Sequence, residues 1–135
     1  MYAWAIDPAG GEPLFQQLVN AIRRDVATGR LRPGDRLPSV RDLAKDLVLN
    51  PNTVAKAYAA LETEGVTASR RGAGTFVADS NARAVLKSDE RRRRFREALE
   101  AALSDAVHLG MSAEEVERTI AASMKRFRFD EVTPR

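Results

Sequence analysis

The sequence predicts a mainly α fold with one small β-hairpin, an α+β arrangement in which three helices precede the hairpin and two follow it. Three observations predict it. Apolar residues recur at helical spacing in five segments, and two β-type runs flank a glycine-rich turn. The chain also lacks a run of 18 apolar residues, the length that a membrane-spanning helix would need. The predicted domains are residues 1–79 and a helical region at residues 80–135.

Composition narrows the class of protein. The chain has 135 residues, of which 44% are hydrophobic, enough for a packed core. It has no cysteine, which excludes disulfides and thiolate metal sites, and its single histidine, His108, does not indicate a metal site. The net charge of +3 is compatible with nucleic acid without proving it. Since residues 1–13 lack Lys, Arg and a continuous apolar stretch, no secretory signal is expected and the predicted location is cytoplasmic.

The chain is predicted to begin with a short extended arm and a first helix. In the arm, Tyr2 and Trp4 are expected to pack on the body of the domain rather than to bind a ligand. The helix is predicted over residues 13–28, because proline suits its first turn and Gly29 suits the left-handed position beyond its end. Its apolar stripe consists of Leu14, Leu18, Ile22 and Val26.

Two short helices joined by a tight turn are predicted next. Ser39 and Asp42 form a capping box for a helix over residues 39–47. Asn50 suits the N-cap of a third helix, and Pro51 suits its first position, where no N–H is needed. That helix is predicted to run to about residue 64, with a buried side formed by Val54, Ala57, Tyr58 and Leu61.

A β-hairpin and two more helices complete the predicted order. The strands are expected at residues 66–70 and 75–78, with residues 71–74 as the loop between them. After a linker at residues 79–82, a long helix is predicted over about residues 82–109. A shorter helix is predicted from Ser112, which forms a second capping box with Glu115, to about Phe127.

Helix, turn, helix and β-hairpin in this order are typical of a winged helix-turn-helix. A helix fits the major groove of B-DNA, where all four base pairs can be distinguished. Asn52, Thr53 and Lys56 lie off the apolar side of the third helix, near its N-terminal end. Asn can pair with adenine, Thr can touch a base edge or a thymine methyl, and Lys can reach guanine or phosphate. The alternative is that Asn50, Asn52 and Thr53 only cap the helix, and we favour that alternative for Asn50.

Arginines outside the third helix are further candidates for DNA contact. Arg41 occupies the first turn of the second helix, where a positive charge opposes the helix dipole, so contact with phosphate or guanine would explain it. Residues 70–74, at the turn of the predicted β-hairpin, form the wing. Glycine in the wing lets the backbone approach DNA closely, and arginine is favoured in a narrow minor groove. The wing candidates are Arg70, Arg71 and Gly72. The alternatives are a solvated arginine and glycines that serve turn geometry alone.

Residues 33–77, with Pro13-Leu14-Phe15-Gln16-Gln17 before them, resemble the DNA-binding domain of the GntR family of bacterial regulators. The matching motifs are Pro33-Gly34-Asp35-Arg36-Leu37-Pro38-Ser39, Arg41-Asp42-Leu43-Ala44, Asn52-Thr53-Val54, Glu64-Gly65 and Arg71-Gly72-Ala73-Gly74-Thr75-Phe76-Val77. The resemblance implies DNA contacts by Arg41, Asn52, Thr53, Arg71 and Gly72. Pro51 departs from the family, many of whose members have arginine there, so that contact is absent here or is replaced by Lys56. The motif Asn50-Pro51-Asn52-Thr53 and the short tail are similar to the YtrA subfamily.

The helical region is predicted to be a two-helix dimerisation tail. Each of its helices has an apolar stripe, and the two stripes can bury each other only in part, so a second copy is the expected partner. The candidate dimerisation residues are Phe95, Leu99, Leu103, Val107, Ile120 and Met124. A homodimer would present two copies of the third helix, the recognition helix, to an inverted-repeat operator. The YtrA resemblance also implies a two-helix dimerisation tail. The alternative is a monomer with a small helical hairpin.

The predicted function is that of a sequence-specific regulator of transcription that binds double-stranded DNA. Repression is favoured over activation because a bound dimer can simply block polymerase, and the YtrA resemblance implies control of a transporter operon. The alternative is a winged-helix protein–protein interaction module, which acidic residues on the recognition helix would support. No catalytic set or phosphate-cradling motif is apparent, so neither an enzyme nor a cofactor is expected. An unknown small-molecule effector is compatible with the sequence, and Arg91 to Arg94 are expected to form a solvated helix face.

Overall fold

A computed structural model of the chain describes residues 4–79, 88–127 and 129. The chain divides into two compact units, Met1–Arg83 and Ala84–Arg135. The first unit contains α1 (Leu14–Ala27), α2 (Val40–Leu47), α3 (Pro51–Thr63), β1 (Thr67–Arg70) and β2 (Gly74–Val77). The second unit contains α4 (Ser88–His108) and α5 (Ala113–Met124). The element order is the predicted one, and the domain boundary at residues 79 and 80 stays a prediction.

The core of the first unit lies where α1 and α3 pack together. Leu18, Ile22 and Leu61 are fully buried there, as the apolar stripes predict. Trp4 joins this core from the N-terminal arm, and its indole Nε1 donates a hydrogen bond to the carboxylate of Asp25 at 2.8 Å. The expectation that the aromatic residues of the arm pack on the body is therefore confirmed for Trp4, whereas Tyr2 lies outside the described residues.

Local capping decides where α2 and α3 begin. The Ser39 hydroxyl oxygen accepts a hydrogen bond from the backbone N–H of Asp42 at 3.1 Å. The Asn50 side-chain oxygen accepts one from the backbone N–H of Asn52 at 2.8 Å, and Pro51 follows as the first residue of α3. Both helix starts are thus as predicted, and the cap role of Asn50 is the one that we favoured.

The two strands are antiparallel, with Thr67 opposite Val77 and Arg70 opposite Gly74. Their bounds correct the prediction, because Gly74 opens β2 instead of closing the loop, and residues 66 and 78 lie just outside the strands. The segment before α2 adds to the sheet at the other edge of β2. There Arg36 forms an isolated bridge with Phe76, and the N–H of Leu37 donates to the carbonyl of Thr75 at 2.8 Å. This pairing ties the hairpin to the start of α2.

The turn between α2 and α3 holds a β-branched residue in a left-handed conformation. Val48 has φ of 55° and ψ of 50°, and its side chain is 89% exposed. In this conformation the Cβ of an L-residue lies too close to the following carbonyl oxygen, at a cost of about 1–2 kcal/mol. Glycine, which has no Cβ, occupies such positions freely.

The substitution Val48→Gly is therefore expected to raise the free energy of unfolding of the first unit by about 0.5–1 kcal/mol. Relief of the strain stabilises the folded state, and the greater conformational freedom of glycine in the unfolded chain offsets part of that gain. Urea unfolding followed by the fluorescence of Trp4, the only tryptophan, reports on this unit. Val48→Ala is the matched control, since it removes the exposed methyl groups but keeps the Cβ. Equal stability of the glycine and alanine variants would contradict the strain at Val48.

The second unit consists of two helices with little buried surface. Ser112 caps α5 by accepting a hydrogen bond from the N–H of Glu115 at 3.1 Å, as predicted. Among the described residues of this unit only Ala106 is classed as buried, and α5 has no buried residue. The predicted start of α4 near residue 82 lies outside the described residues. No helix in the described part of the chain combines the length and the apolar character that crossing a bilayer requires.

Candidate nucleic-acid interface

The two sides of α3 differ sharply in exposure. Its buried side is Val54, Ala57, Tyr58 and Leu61, the four positions that the sequence predicts. The hydroxyl of Tyr58 also donates a hydrogen bond to the carbonyl of Pro38 at 2.7 Å, which fixes α3 against the segment before α2. Side chains on the opposite side therefore face away from the core, and these are Asn52, Ala55, Lys56 and Ala59.

The N-terminal turn of α3 brings an amide and a hydroxyl to the surface. Asn50 uses its side-chain oxygen as the cap, as described above, so its amide is partly committed to the helix. Asn52 is exposed and Thr53 half-buried, and within the described residues neither side chain makes a hydrogen bond. The partial positive charge of the helix N-terminus adds a favourable field for an anion at the same place.

Arg41 lies in the first turn of α2 and is exposed. In the part of the chain that the structure describes, its guanidinium forms no ion pair or hydrogen bond. The positive end of the α2 dipole disfavours a cation at this position, so folding does not account for the charge. The side chain is available to a phosphate or a guanine edge.

Lys56 is the one cation of α3, and the structure gives it a partner that the sequence analysis did not anticipate. Its ammonium nitrogen lies 4.0 Å from the centre of the Phe15 ring on α1, a cation–π contact. The two residues are far apart in the chain, and no local pattern indicates the contact. A DNA contact by Lys56, which the sequence analysis predicts, requires the ammonium to leave this ring.

The wing presents its arginines in two different ways. The guanidinium carbon of Arg70 lies 4.5 Å from the centre of the Phe76 ring on β2, whereas Arg71 at the turn is exposed and makes no described ion pair. Gly72 has φ of +77°, which glycine adopts without strain. A Cβ on Gly72 would meet no atom within 4 Å, so the space beside it is open to a ligand.

Arg36 is a residue of this region that the predicted site omits. A Cβ built on Gly74, whose φ is +116°, would lie 3.0 Å from the Nε of Arg36. The backbone conformation of Gly74 disfavours any side chain there, and a Cβ would also require the Arg36 guanidinium to shift by a few tenths of an ångström. The signal available in the sequence was the motif that contains Arg36, but its contact with the wing depends on the tertiary fold.

The first three turns of α3 contain one basic residue and no acidic one. Between Asp46 and Glu62 the chain has no acidic residue, so the exposed side of α3 carries no negative charge in its first three turns. The acidic recognition helix that would favour a protein–protein module is absent from these residues. No group of three potential metal-ligating side chains occurs in the described part of the chain.

The arginine run on α4 is engaged by acidic neighbours on the same helix. Arg92 pairs with Asp89 at 2.8 Å, and Arg93 pairs with Glu90 at 2.6 Å. The hydrogen bond from Arg93 lowers the pKa of the Glu90 carboxyl, which keeps the pair ionised. These pairs are exposed and support the expected reading of the run as a solvated helix face.

The candidate dimerisation residues leave much apolar surface uncovered in the single chain. Phe95 is 68% exposed and Val107 is 75% exposed, although both belong to the apolar stripe of α4. Leu99 on the same stripe is half-buried. The remaining members, Leu103, Ile120 and Met124, are exposed as well. Exposed apolar side chains grouped along one side of a helix are a common feature of interaction sites.

Comparison with known proteins extends these observations. A family model described as bacterial regulatory proteins, gntR family, matches residues 14–77. The HTH-type transcriptional repressor YtrA of Bacillus subtilis (strain 168) is 36% identical over 115 residues, which cover 85% of this chain and 87% of that protein. The similarity therefore extends beyond the hairpin into the helical region.

Two solved structures show the same fold at similar identity. A transcriptional antiterminator from Listeria monocytogenes EGD-e aligns with a TM-score of 0.77 at 31% identity, over 91% of this chain and 90% of that one. YtrA from Sulfolobus acidocaldarius, a GntR-family transcription factor, aligns with a TM-score of 0.61 at 31% identity, over 76% of this chain and 99% of that one. These alignments agree with the winged helix-turn-helix derived above.

Proposed function

Because the chain belongs to the GntR family of bacterial regulatory proteins, we propose that it represses transcription as a homodimer bound to an inverted-repeat operator. Family membership itself makes it a DNA-binding transcriptional regulator with a winged helix-turn-helix and not an enzyme. The observation that carries the proposal is the exposed, acid-free N-terminal half of α3, with Asn52 and Thr53 at its start. An exposed helix start with these side chains can enter the major groove and read base edges there.

Each predicted site residue has a role in this proposal. Asn52 and Thr53 contact base edges in the major groove, and Lys56 contacts the backbone once its ammonium leaves Phe15. Arg41, on α2, binds a phosphate or a guanine beside the same groove. The wing adds minor-groove or backbone contacts through Arg70, Arg71 and Gly72.

Two copies of the chain are proposed to pair through their helical regions. The exposed stripe of α4 and the apolar residues of α5 are the surfaces available for a two-fold interface, in which the same patch of each copy faces the other. Burial of these side chains would supply the core that a single helical region lacks. A two-fold dimer requires an inverted repeat whose half-sites are about one DNA turn, or a multiple of it, apart.

The regulatory outcome is proposed to be repression in the cytoplasm, where a bound dimer blocks access of polymerase to the promoter. The Bacillus subtilis relative is named a transcriptional repressor, which supports the same outcome here. Control of a transporter operon is carried over from the subfamily resemblance alone. A small-molecule effector that binds the regulator and alters its affinity for DNA is part of the proposal.

Selection of bound sequences from random duplex DNA tests the proposal. The expected result is a single enriched motif with two inverted halves separated by about one helical turn, or a multiple of it, since each copy reads one half. The protein should be used as the full chain at modest salt, because phosphate contacts alone bind any duplex at low salt. Enrichment of no motif would contradict sequence-specific binding, and enrichment of an isolated half-site would contradict the dimer.

A further inference from the structure

We propose that α3 reads A·T base pairs, with the amide of Asn52 on an adenine and the methyl of Ala55 on the 5-methyl of a thymine. The inference rests on the proposed function and specifies the chemistry of the operator half-site. Under α3 the half-site is A·T-rich, and any guanine that it contains lies where an arginine outside α3 can reach it.

The α3 helix offers only a small set of side chains to a groove. In its first two turns the exposed residues are Pro51, Asn52, Ala55 and Lys56. Pro51 has no side-chain donor or acceptor. The oxygen of Asn50, one residue earlier, is occupied by the N–H of Asn52 at 2.8 Å, so Asn50 is not free for paired contacts to a base. Asn52 is therefore the free amide of this surface.

The exposed side of α3 lacks a side chain suited to binding guanine. Arginine and lysine are the side chains that most often bind the O6 and N7 atoms of guanine. Residues 51–63 contain no arginine, and Lys56 is their only cation. Its ammonium lies 4.0 Å from the centre of the Phe15 ring, so it is drawn toward α1. Nothing else on the exposed side of α3 matches the two acceptors of guanine.

The side chains that remain on the exposed side of α3 match the groups of an A·T base pair. An asparagine amide matches the N7 acceptor and the N6 donor of adenine. An alanine methyl matches the 5-methyl group of thymine, which marks A·T pairs in the major groove. Ala55 and Asn52 are three residues apart, so their side chains lie one helical turn from each other on the same surface. Together they favour adjacent A·T pairs. The exposed guanidinium groups of Arg41 and Arg71 are the candidates for guanine on either side.

Removal of single thymine methyl groups tests the inference directly. In the selected duplex, each thymine is replaced in turn by deoxyuridine, and the dissociation constant of the full chain is measured. We expect about a four-fold loss of affinity at one thymine of each half-site, the effect of losing one buried methyl group. The Ala55→Gly variant should bind the natural duplex more weakly and should lose this sensitivity to deoxyuridine.

Ala55→Arg provides a second variant that keeps a strong helix former at the position. Repeating the selection with it should enrich guanine at a base pair where the natural chain selects A·T. Ala101→Arg, on the exposed surface of α4, adds the same charge and should select the natural motif. A motif whose α3-dependent base pairs are G·C, or deoxyuridine effects that persist in Ala55→Gly, would overturn this inference and leave the proposed function standing. Failure to enrich any motif would overturn both.

Discussion

Replacement of Arg41 by alanine is expected to lower the affinity of the proposed homodimer for its selected duplex about 1,000-fold. A paired arginine contact contributes about 1–3 kcal/mol, and a two-fold complex contains it twice, so a loss of about 4 kcal/mol in total is expected. Folding should not suffer, because Arg41 is exposed and its charge opposes the dipole of α2. The urea midpoint followed by Trp4 fluorescence is expected to stay unchanged or to rise slightly.

Two further variants show whether the loss of DNA affinity in Arg41→Ala is specific to the proposed DNA-binding site. Thr53→Ala should also weaken specific binding, by a smaller factor, while the protein stays dimeric. Arg30→Ala removes an exposed positive charge from the loop after α1 and should lower affinity for all duplexes only slightly. If Arg41→Ala and Thr53→Ala both bind the selected duplex normally, the assignment of the site is wrong. If Arg30→Ala loses as much affinity for the selected duplex as Arg41→Ala, the loss in Arg41→Ala results from the change in net charge.

The double substitution Phe95→Glu and Leu103→Glu is expected to convert the proposed homodimer into a monomer. Both side chains are exposed in the single chain, so the helix tolerates glutamate, but two carboxylates per copy would meet across an apolar two-fold interface. Sedimentation at micromolar concentration should give a mass near 14.9 kDa instead of twice that value. Affinity for the full inverted repeat should fall about 100- to 10,000-fold, because the second half-site no longer benefits from being linked to the first.

Ala101→Glu is the matched control for this experiment. Ala101 is exposed on α4 and lies on the side of the helix opposite to the stripe that starts at Phe95. The Ala101→Glu variant adds a carboxylate to the same helix and should leave both the proposed dimer and the operator affinity unchanged. A double variant that stays dimeric would show that α4 does not form the interface, and a control that dissociates would show that charge on α4 is sufficient to separate the copies.

Much of the first unit could be predicted because its helix boundaries depend on local chemistry. The side chains of Ser39 and Asn50 cap the helices that follow them, and each does so through an N–H two or three residues away. The exposed side of α3 could be predicted for a similar reason, since the spacing of its apolar residues defines the opposite side. Identification of Asn52 and Thr53 as surface candidates needed no tertiary information.

The features that sequence reasoning missed depend on residues distant in the chain. Lys56 and Phe15 meet only because α1 packs on α3, and Arg36 reaches the wing only because its segment pairs with β2. The left-handed conformation of Val48 was missed for another reason. Valine strongly disfavours it, so the residue type gives no warning that the turn requires it. Tertiary packing sets the contacts of Lys56 and Arg36, whereas the turn at Val48 is held by local backbone hydrogen bonds, among them the one from the N–H of Leu49 to the carbonyl of Ala44 at 2.9 Å.

The most direct test of the central claim, that α3 gives this chain a preference for one DNA sequence, is a competition titration. The purified chain is titrated with the selected duplex and with a shuffled duplex of the same composition, at a salt concentration near physiological. We expect the selected duplex to bind at least 1,000-fold more tightly, as is typical of specific recognition. Equal affinity for the two duplexes would contradict the claim, because contacts to phosphate alone do not distinguish them.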